Sequence, residues 1–350
     1  MPANKSLDFL TSLRGVAAIW VVFYHIKMHL ANYLPDSVIF LIAKGYLAVD
    51  FFFVLSGFII AMSYQDKINL LEWRTVGVFL KKRFARIYPL HFFCLMLYLV
   101  IPISYWLFDK ALSNSHSYAV DNFILSLFLI NNWGFNDALS WNVPSWSIST
   151  EFGAYLAFPL LTLLFKKGHV VIYCLFIVVA VFVLHQIYAQ YGLVSIGKGI
   201  PKVALMRCII EFFIGMCVWN IYKSKINIPK LLNKFILILS ILSIFLVFYG
   251  YLPETIFAPL LIALCVYSLL IYSEGEGIKG LSYAWLVYLG EISYSIYLSH
   301  YFIRDLFKIV FLEGQTGSIV WILSYFFVVI AFSSMTYRYV EVPMRYRLNQ

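Results

Sequence analysis

The chain has 350 residues, of which 62% are hydrophobic and 12% are charged, and its formal net charge is +9. A soluble globular protein carries roughly 45–50% apolar and about 25% charged residues, so this composition excludes an ordinary soluble domain. A basic soluble chain would suggest a nucleic-acid partner, but in a membrane protein Lys and Arg collect in cytoplasmic loops, and no nucleic acid is expected. We predict an all-α fold, a polytopic helical bundle in the lipid bilayer, with residues 1–350 as a single domain.

Ten apolar runs are long enough to cross a bilayer, because a spanning helix needs about 20 predominantly apolar residues. In chain order they cover residues 10–30, 45–63, 86–107, 148–165, 170–190, 204–222, 234–250, 255–272, 286–311 and 317–337. A further run, Asp121 to Trp133, is too short to span and predicts a re-entrant or interfacial segment. The five cysteines lie inside apolar runs and form no CxxC pair, which indicates packing residues rather than a metal site.

The distribution of Lys and Arg predicts the orientation of the bundle. If the N-terminus lies in the cytoplasm, most of the 26 basic residues fall on the inner side of the membrane. The positive-inside rule therefore predicts that both termini are cytoplasmic. The segment 108–147, which is rich in Trp and Asn, then lies outside.

Arg14 and His25 lie within the first apolar run, where charge is costly and indicates a functional site. Arg14 and His25 are about three helical turns apart, a rise of roughly 16 Å, so both lie on one face of the helix. Arg14 would be near the cytoplasmic boundary, and His25 would be at mid-membrane or beyond. The structural alternative is an Arg that snorkels to the headgroups and a His that bonds a neighbouring backbone.

Other ionisable residues reach comparable depths. Asp50, Glu151 and His300 are expected, together with His25, to share the outer half of one cavity. A basic group is expected at the inner face, although ordinary positive-inside charge would give the same pattern. Its members are Arg14, Lys81, Lys82, Arg83 and Arg86, with Arg338 and Arg345 nearby.

Two sites at different depths of the bundle, a basic one at the inner face and one with histidines and carboxylates in the outer half, suit a reaction across a membrane. Arginine binds phosphate through a planar fork that contacts two oxygens, so the inner group predicts a polyanion from the cytoplasm. A His paired with a carboxylate can act as a general base on a hydroxyl, because its pKa lies near the operating pH. Aromatic residues on the outer side could stack on sugar faces, or form only the interfacial aromatic belt.

Six segments, in this order, also resemble one protein family. They are LDFLTSLRGVAAIWVVFYHI, GYLAVDFFFVLSGFII, FLKKRFARIYPLH, VPSWSISTEFGAYLAFPLL, ISYSIYLSHYFI and YVEVPMR. The chain is similar, nearly end to end, to the acyltransferase-3 family of membrane acyltransferases. It departs from the family at Glu151, where Glu-Phe-Gly-Ala-Tyr stands in place of the frequent Glu-Glu-Gln-Phe-Tyr.

The resemblance implies a multi-pass enzyme of the bacterial inner membrane. It implies an acyl-CoA donor, acetyl-CoA in most relatives, no permanently bound cofactor, and a carbohydrate acceptor such as lipopolysaccharide or exopolysaccharide. Arg14, Arg83 and Arg86 are then expected to bind the CoA phosphates. His25 is the expected base, or the carrier of a transient acyl group, with Glu151 or Asp50 orienting it.

The acceptor or the oxyanion is expected to contact residues of the outer half, namely His300, Tyr297, Trp146 and Trp141. Some relatives carry an extra-cytoplasmic hydrolase-like domain after the membrane part. Because the chain ends soon after its last apolar run, we expect no such domain, and either the bundle or a separate partner protein of glycan biosynthesis completes the transfer. The competing interpretation is a secondary transporter or flippase of a glycan or small molecule that uses an intramembrane proton relay, but no internal repeat supports it.

Overall fold

The computed structural model describes residues 7–68, 72–108, 115–165, 168–274, 278–311 and 317–350. These ranges are helical and contain no strand, which confirms the predicted all-α polytopic bundle. Ten helices of 17 to 26 residues form the bundle: α1 (Asp8–His25), α2 (Ala48–Tyr64), α3 (Trp73–Tyr98), α4 (Ser145–Leu161), α5 (Val170–Gln190), α6 (Ile200–Lys223), α7 (Lys230–Phe248), α8 (Glu254–Tyr272), α9 (Ser293–Phe311) and α10 (Ile319–Thr336).

Shorter helical segments connect the long helices. They are the α-helices Lys27–Leu30, Asp36–Ala43, Val100–Leu107, Val120–Leu127, Ala284–Glu291 and Val342–Asn349, the 3₁₀ turns Gly45–Leu47, Gln65–Lys67, Ser115–Tyr118, Thr162–Phe165 and Lys279–Leu281, and the π-helical turn Tyr337–Glu341. Val120–Leu127 overlaps the short run Asp121 to Trp133 and has only 8 residues, so it cannot cross a bilayer.

Each predicted apolar run overlaps one of the ten long helices, with differences at the ends. The run 86–107 is divided, because α3 begins earlier, at Trp73, and a separate helix covers Val100–Leu107. The basic stretch before residue 86 is helical because Lys and Arg are good helix formers, whereas the prediction followed hydropathy alone. The run 286–311 is also divided, at Ile292, between Ala284–Glu291 and α9.

Eight helical stretches in the described ranges are long and apolar enough to cross a membrane. The two long helices outside this set are α1 and α9, which carry His25 and His300. We call the end of the bundle near Arg14 the inner end and the end near His25 the outer end. These names follow the predicted orientation, which stays a prediction, as does the single domain over 1–350.

Glycines allow the helices α2 and α6 to touch at their backbones. A Cβ atom on Gly57 of α2 would lie 1.9 Å from the carbonyl oxygen of Phe212 in α6, and one on Gly215 of α6 would lie 2.0 Å from that of Val54. Small residues are typical of such membrane interfaces, because close packing replaces the hydrophobic effect between helices. The position of α2 against α6 is therefore fixed by backbone contact.

Candidate functional site

A cavity of about 210 Å³ lies between α1, α2, α3, α4 and α9. Arg14, Arg83 and Arg86 line it, so the structure brings together the three arginines predicted to bind phosphate. Lys81 and Lys82 of the same predicted group are exposed and do not line the cavity. Three guanidinium groups around one cavity suit a polyanion, because each can bond two phosphate oxygens at once.

Two of these arginines have partners within the protein. Arg86 forms an ion pair with Glu341, which lies in the π-helical turn after α10 and is 1% exposed. The other carboxylate oxygen of Glu341 accepts a hydrogen bond from the Ser295 hydroxyl at 3.0 Å. Arg83 donates to the Tyr64 hydroxyl at 3.2 Å. The side chains of Arg83 and Arg86 are thus held in place before any ligand binds.

Arg14 differs from the other two arginines. It forms no ion pair with a described residue, although it lines the same cavity. Its guanidinium group is therefore available to an anion in the cavity. The sequence analysis did not assign Glu341 to this site, and the signal that could have done so was its place in the segment YVEVPMR.

Glu151 lies in this inner cavity, so the expectation that it shares the outer half with His25 is wrong. One of its carboxylate oxygens accepts hydrogen bonds from the Ser56 hydroxyl at 2.6 Å and the Tyr155 hydroxyl at 2.7 Å. The reason is the start of α4, at Ser145 rather than at 148, which places Glu151 about 9 Å into the helix. Its carboxylate consequently stands among the arginines.

Asp50 is also placed differently from the prediction. It is fully buried and accepts two hydrogen bonds from Arg207 of α6, from Nε at 2.9 Å and Nη2 at 2.7 Å. Glu211 lies one turn further along α6, 3.6 Å from the same guanidinium group. Because both oxygens of Asp50 bond Arg207, the carboxylate is not available to orient His25. The signal for this pairing was the presence of two ionisable residues inside the apolar run 204–222.

The two tryptophans predicted to bind substrate occupy different environments. Trp146 is buried, and its ring lies 5.5 Å from the Arg207 guanidinium carbon, so it packs against the buried ion pair. Trp141 lines a second cavity, of about 360 Å³, at the outer end of the bundle. The structure therefore separates the two rings that the sequence grouped together.

His25 and His300 are brought together, as predicted. Their ring centroids are 5.2 Å apart, and the ring of Tyr301 lies 5.0 Å from that of His25. The Nδ1 atom of His300 is 3.1 Å from the Ile296 carbonyl oxygen, so Nδ1 carries the proton and Nε2 is the basic nitrogen. Nε2 is buried and has no hydrogen-bond partner among the described residues. The ionisable side chain next to His25 is thus a second imidazole rather than a carboxylate.

Tyr297 connects the cavity of the arginines to the histidine pair. It lines that cavity, and its ring centroid lies 6.1 Å from that of His300. Its hydroxyl is 2.8 Å from the Ser147 hydroxyl. A ligand held at Arg14 could therefore extend past Tyr297 to His25, a distance of roughly 16 Å along α1.

Comparisons with known proteins agree with the motifs. A family model described as "Acyltransferase domain" matches residues 7–338. Acyltransferase MdmB of Streptomyces mycarofaciens is 29% identical, over 86% of this chain and 80% of the relative. O-acetyltransferase OatA of Staphylococcus aureus is 27% identical over 99% of this chain and 58% of the relative, so the chain spans a little over half the length of OatA. No solved structure matches the chain.

Proposed function

The chain belongs to the acyltransferase-domain family and is a membrane acyltransferase, and from this premise we propose that it transfers an acetyl group from cytoplasmic acetyl-CoA to a hydroxyl of a cell-surface or lipid-linked carbohydrate. Acetyl is proposed because the relative OatA is named an O-acetyltransferase. The proposal includes a location in the bacterial inner membrane, with the donor site facing the cytoplasm. The transporter or flippase alternative gains no support from the family to which the chain belongs.

The observation that carries the proposed donor is the convergence of three arginines on one cavity. CoA is a polyanion, and a guanidinium group suits its phosphates in charge and geometry. Arg83 and Arg86 are held by Tyr64 and Glu341, whereas Arg14 forms no ion pair with the described residues. Phosphates bound by Arg14 would leave the thioester free to extend past Tyr297.

The proposed chemistry centres on His25. Its imidazole takes the proton from the acceptor hydroxyl while that oxygen attacks the thioester carbonyl, and the CoA sulfur leaves and is protonated. In the alternative route His25 attacks first, and the acetyl group passes from its nitrogen to the acceptor. His300 lies beside His25, and its Nε2 has no hydrogen-bond partner among the described residues, which suits a second acceptor of protons or of a substrate hydrogen bond.

Direct binding of acetyl-CoA tests the proposed function. The purified protein in detergent would be titrated with labelled acetyl-CoA at several salt concentrations. We expect saturable binding that unlabelled CoA displaces and that weakens as salt screens the arginines. Binding that never saturates, or that acetate displaces as well as CoA does, would remove acetyl-CoA as the donor.

A further inference from the structure

The second cavity lies at the outer end of the bundle and has a volume of about 360 Å³. Along α9, Tyr297 lines the cavity of the arginines, whereas Tyr301 and Arg304 line the outer cavity. His300 lies between these two sets of residues. The outer cavity and the cavity of the arginines therefore approach the histidine pair from opposite ends of the bundle.

Trp141 forms part of the wall of the outer cavity, and two hydrogen bonds hold it in place. Its indole N–H donates to the Ala119 carbonyl at 2.9 Å, and its backbone N–H donates to the Ser117 carbonyl at 2.8 Å. Its φ is +53°, in the left-handed region that a bulky residue rarely adopts. Backbone outliers of this kind are held by their surroundings and cluster at ligand sites.

Tyr118 and Tyr301 add two further aromatic rings to this wall. Burial, followed by the nearby charge of Asp305, raises the pKa of Tyr118 to about 12. Its hydroxyl therefore keeps its proton and can donate a hydrogen bond at physiological pH. Aromatic walls with a few convergent polar groups are typical of sites for small organic ligands.

Among the described residues that line the cavity, the charged ones leave a net positive charge. Arg304 stacks on the ring of Tyr301, with 3.5 Å from its guanidinium carbon to the ring centroid, and donates to Asp305 at 2.7 Å. Lys308, one turn further along α9, is exposed and forms no ion pair with a described residue. Two basic groups thus face one carboxylate, and an anionic ligand would balance them.

We propose that the outer cavity binds the acceptor and that this acceptor is an anionic saccharide, carrying a carboxylate or a phosphate that Lys308 and Arg304 recognise. This inference rests on the proposed function. Because the ring of Tyr301 lies 5.0 Å from that of His25, a sugar against Tyr301 presents a hydroxyl close to the proposed base. The anion lies one to two helical turns further out, away from the thioester.

A matched pair of disaccharides tests the charge requirement. Digalacturonic acid and neutral galactobiose, and the corresponding glucuronate and glucose disaccharides, would be titrated into the full chain in phosphatidylcholine nanodiscs. We expect each acidic sugar to bind about tenfold or more tightly than its neutral counterpart, because charge-assisted hydrogen bonds are the strong ones. Lys308→Gln should remove most of this preference. Lys202→Gln, at an exposed position near the outer start of α6, should preserve it.

Two results of the sugar titrations would overturn the inference. One is an absence of preference for the acidic sugars across both pairs, and the other is a preference that Lys308→Gln leaves intact. Nanodiscs with phosphatidylglycerol provide a further arm: if that lipid occupies the cavity and abolishes all sugar binding, the basic residues serve an anionic headgroup instead. Acetyl-CoA binding, measured on the same samples, separates a failure of this inference from a failure of the donor assignment.

Discussion

The imidazole rings of His25 and His300 lie 5.2 Å apart, although they belong to α1 and α9, near opposite ends of the chain. A backbone contact of α1 accounts for this arrangement. A Cβ atom on Gly290 would lie only 1.8 Å from the Thr11 carbonyl oxygen, so α1 touches the backbone just before α9. Because α1 and α9 then run side by side, the residues at the same depth on both helices meet.

Replacement of His25 should affect the acyl-transfer step without affecting the binding of the donor. His25→Ala should lower the rate of acetyl transfer by about 10²–10⁴-fold, the usual contribution of a general base. The affinity for acetyl-CoA should stay unchanged. Transfer and binding would be measured on the same preparation. His169→Ala, at an exposed position before α5, is the control and should behave as wild type. Normal turnover in His25→Ala would remove His25 from the mechanism.

Arg14 and Arg86 should respond differently to the same substitution. Arg14→Ala should weaken acetyl-CoA binding about tenfold or more and leave Tm unchanged, because it deletes a charge-assisted contact to the ligand only. Arg86→Ala should weaken binding and also lower the free energy of unfolding by about 3–5 kcal/mol, since the buried Glu341 loses its ion-pair partner.

The double variant Arg86→Ala/Glu341→Gln tests this separation, because it removes the buried charge that the single variant leaves unpaired. It should recover stability, measured by Tm, without recovering acetyl-CoA affinity. If Arg14→Ala and Arg86→Ala lose the same stability and the same affinity, the distinction between a free and a paired arginine is wrong.

The sequence was informative about the depth of residues along single helices. Hydropathy located all ten long helices, and the rise of 1.5 Å per residue placed Arg14 and His25 at two levels of α1. The structure then groups the arginines at one level and the histidines at the other. The depth of a residue within a spanning helix depends only on its position along that helix, so the sequence is sufficient to predict it.

The sequence was less informative about which helices face each other. Asp50 and His25 are predicted at similar depths, but Asp50 bonds Arg207 because α2 packs against α6. Glu151 lies among the arginines because α4 begins three residues before the predicted apolar run. The rotation of a helix about its axis and the identity of its neighbours depend on tertiary packing, which hydropathy does not describe.

The Asp50–Arg207 pair should be a structural element rather than part of the reacting groups. Asp50→Asn should lower the free energy of unfolding by about 3–5 kcal/mol, because it leaves the buried Arg207 without its carboxylate. The triple variant Asp50→Asn/Arg207→Met/Glu211→Gln should recover much of this loss, because it leaves no member of the buried ion-pair cluster without a partner. Thermal unfolding of the detergent-solubilised proteins measures both. If Asp50→Asn is as stable as wild type but inactive, Asp50 takes part in catalysis.

The contact between α2 and α6 should tolerate no larger residue at Gly57. Gly57→Ala places a Cβ atom 1.9 Å from a backbone oxygen of α6, which cannot move as a flexible side chain would. The two helices must separate, so Tm and activity should both fall. Gly77→Ala on α3 is the matched control, since a Cβ atom there meets nothing within 4 Å. Alanine favours a helix over glycine by up to about 1 kcal/mol, so this control should be neutral or slightly stabilising. Equal Tm values for the two variants would show that α2 and α6 can separate without cost.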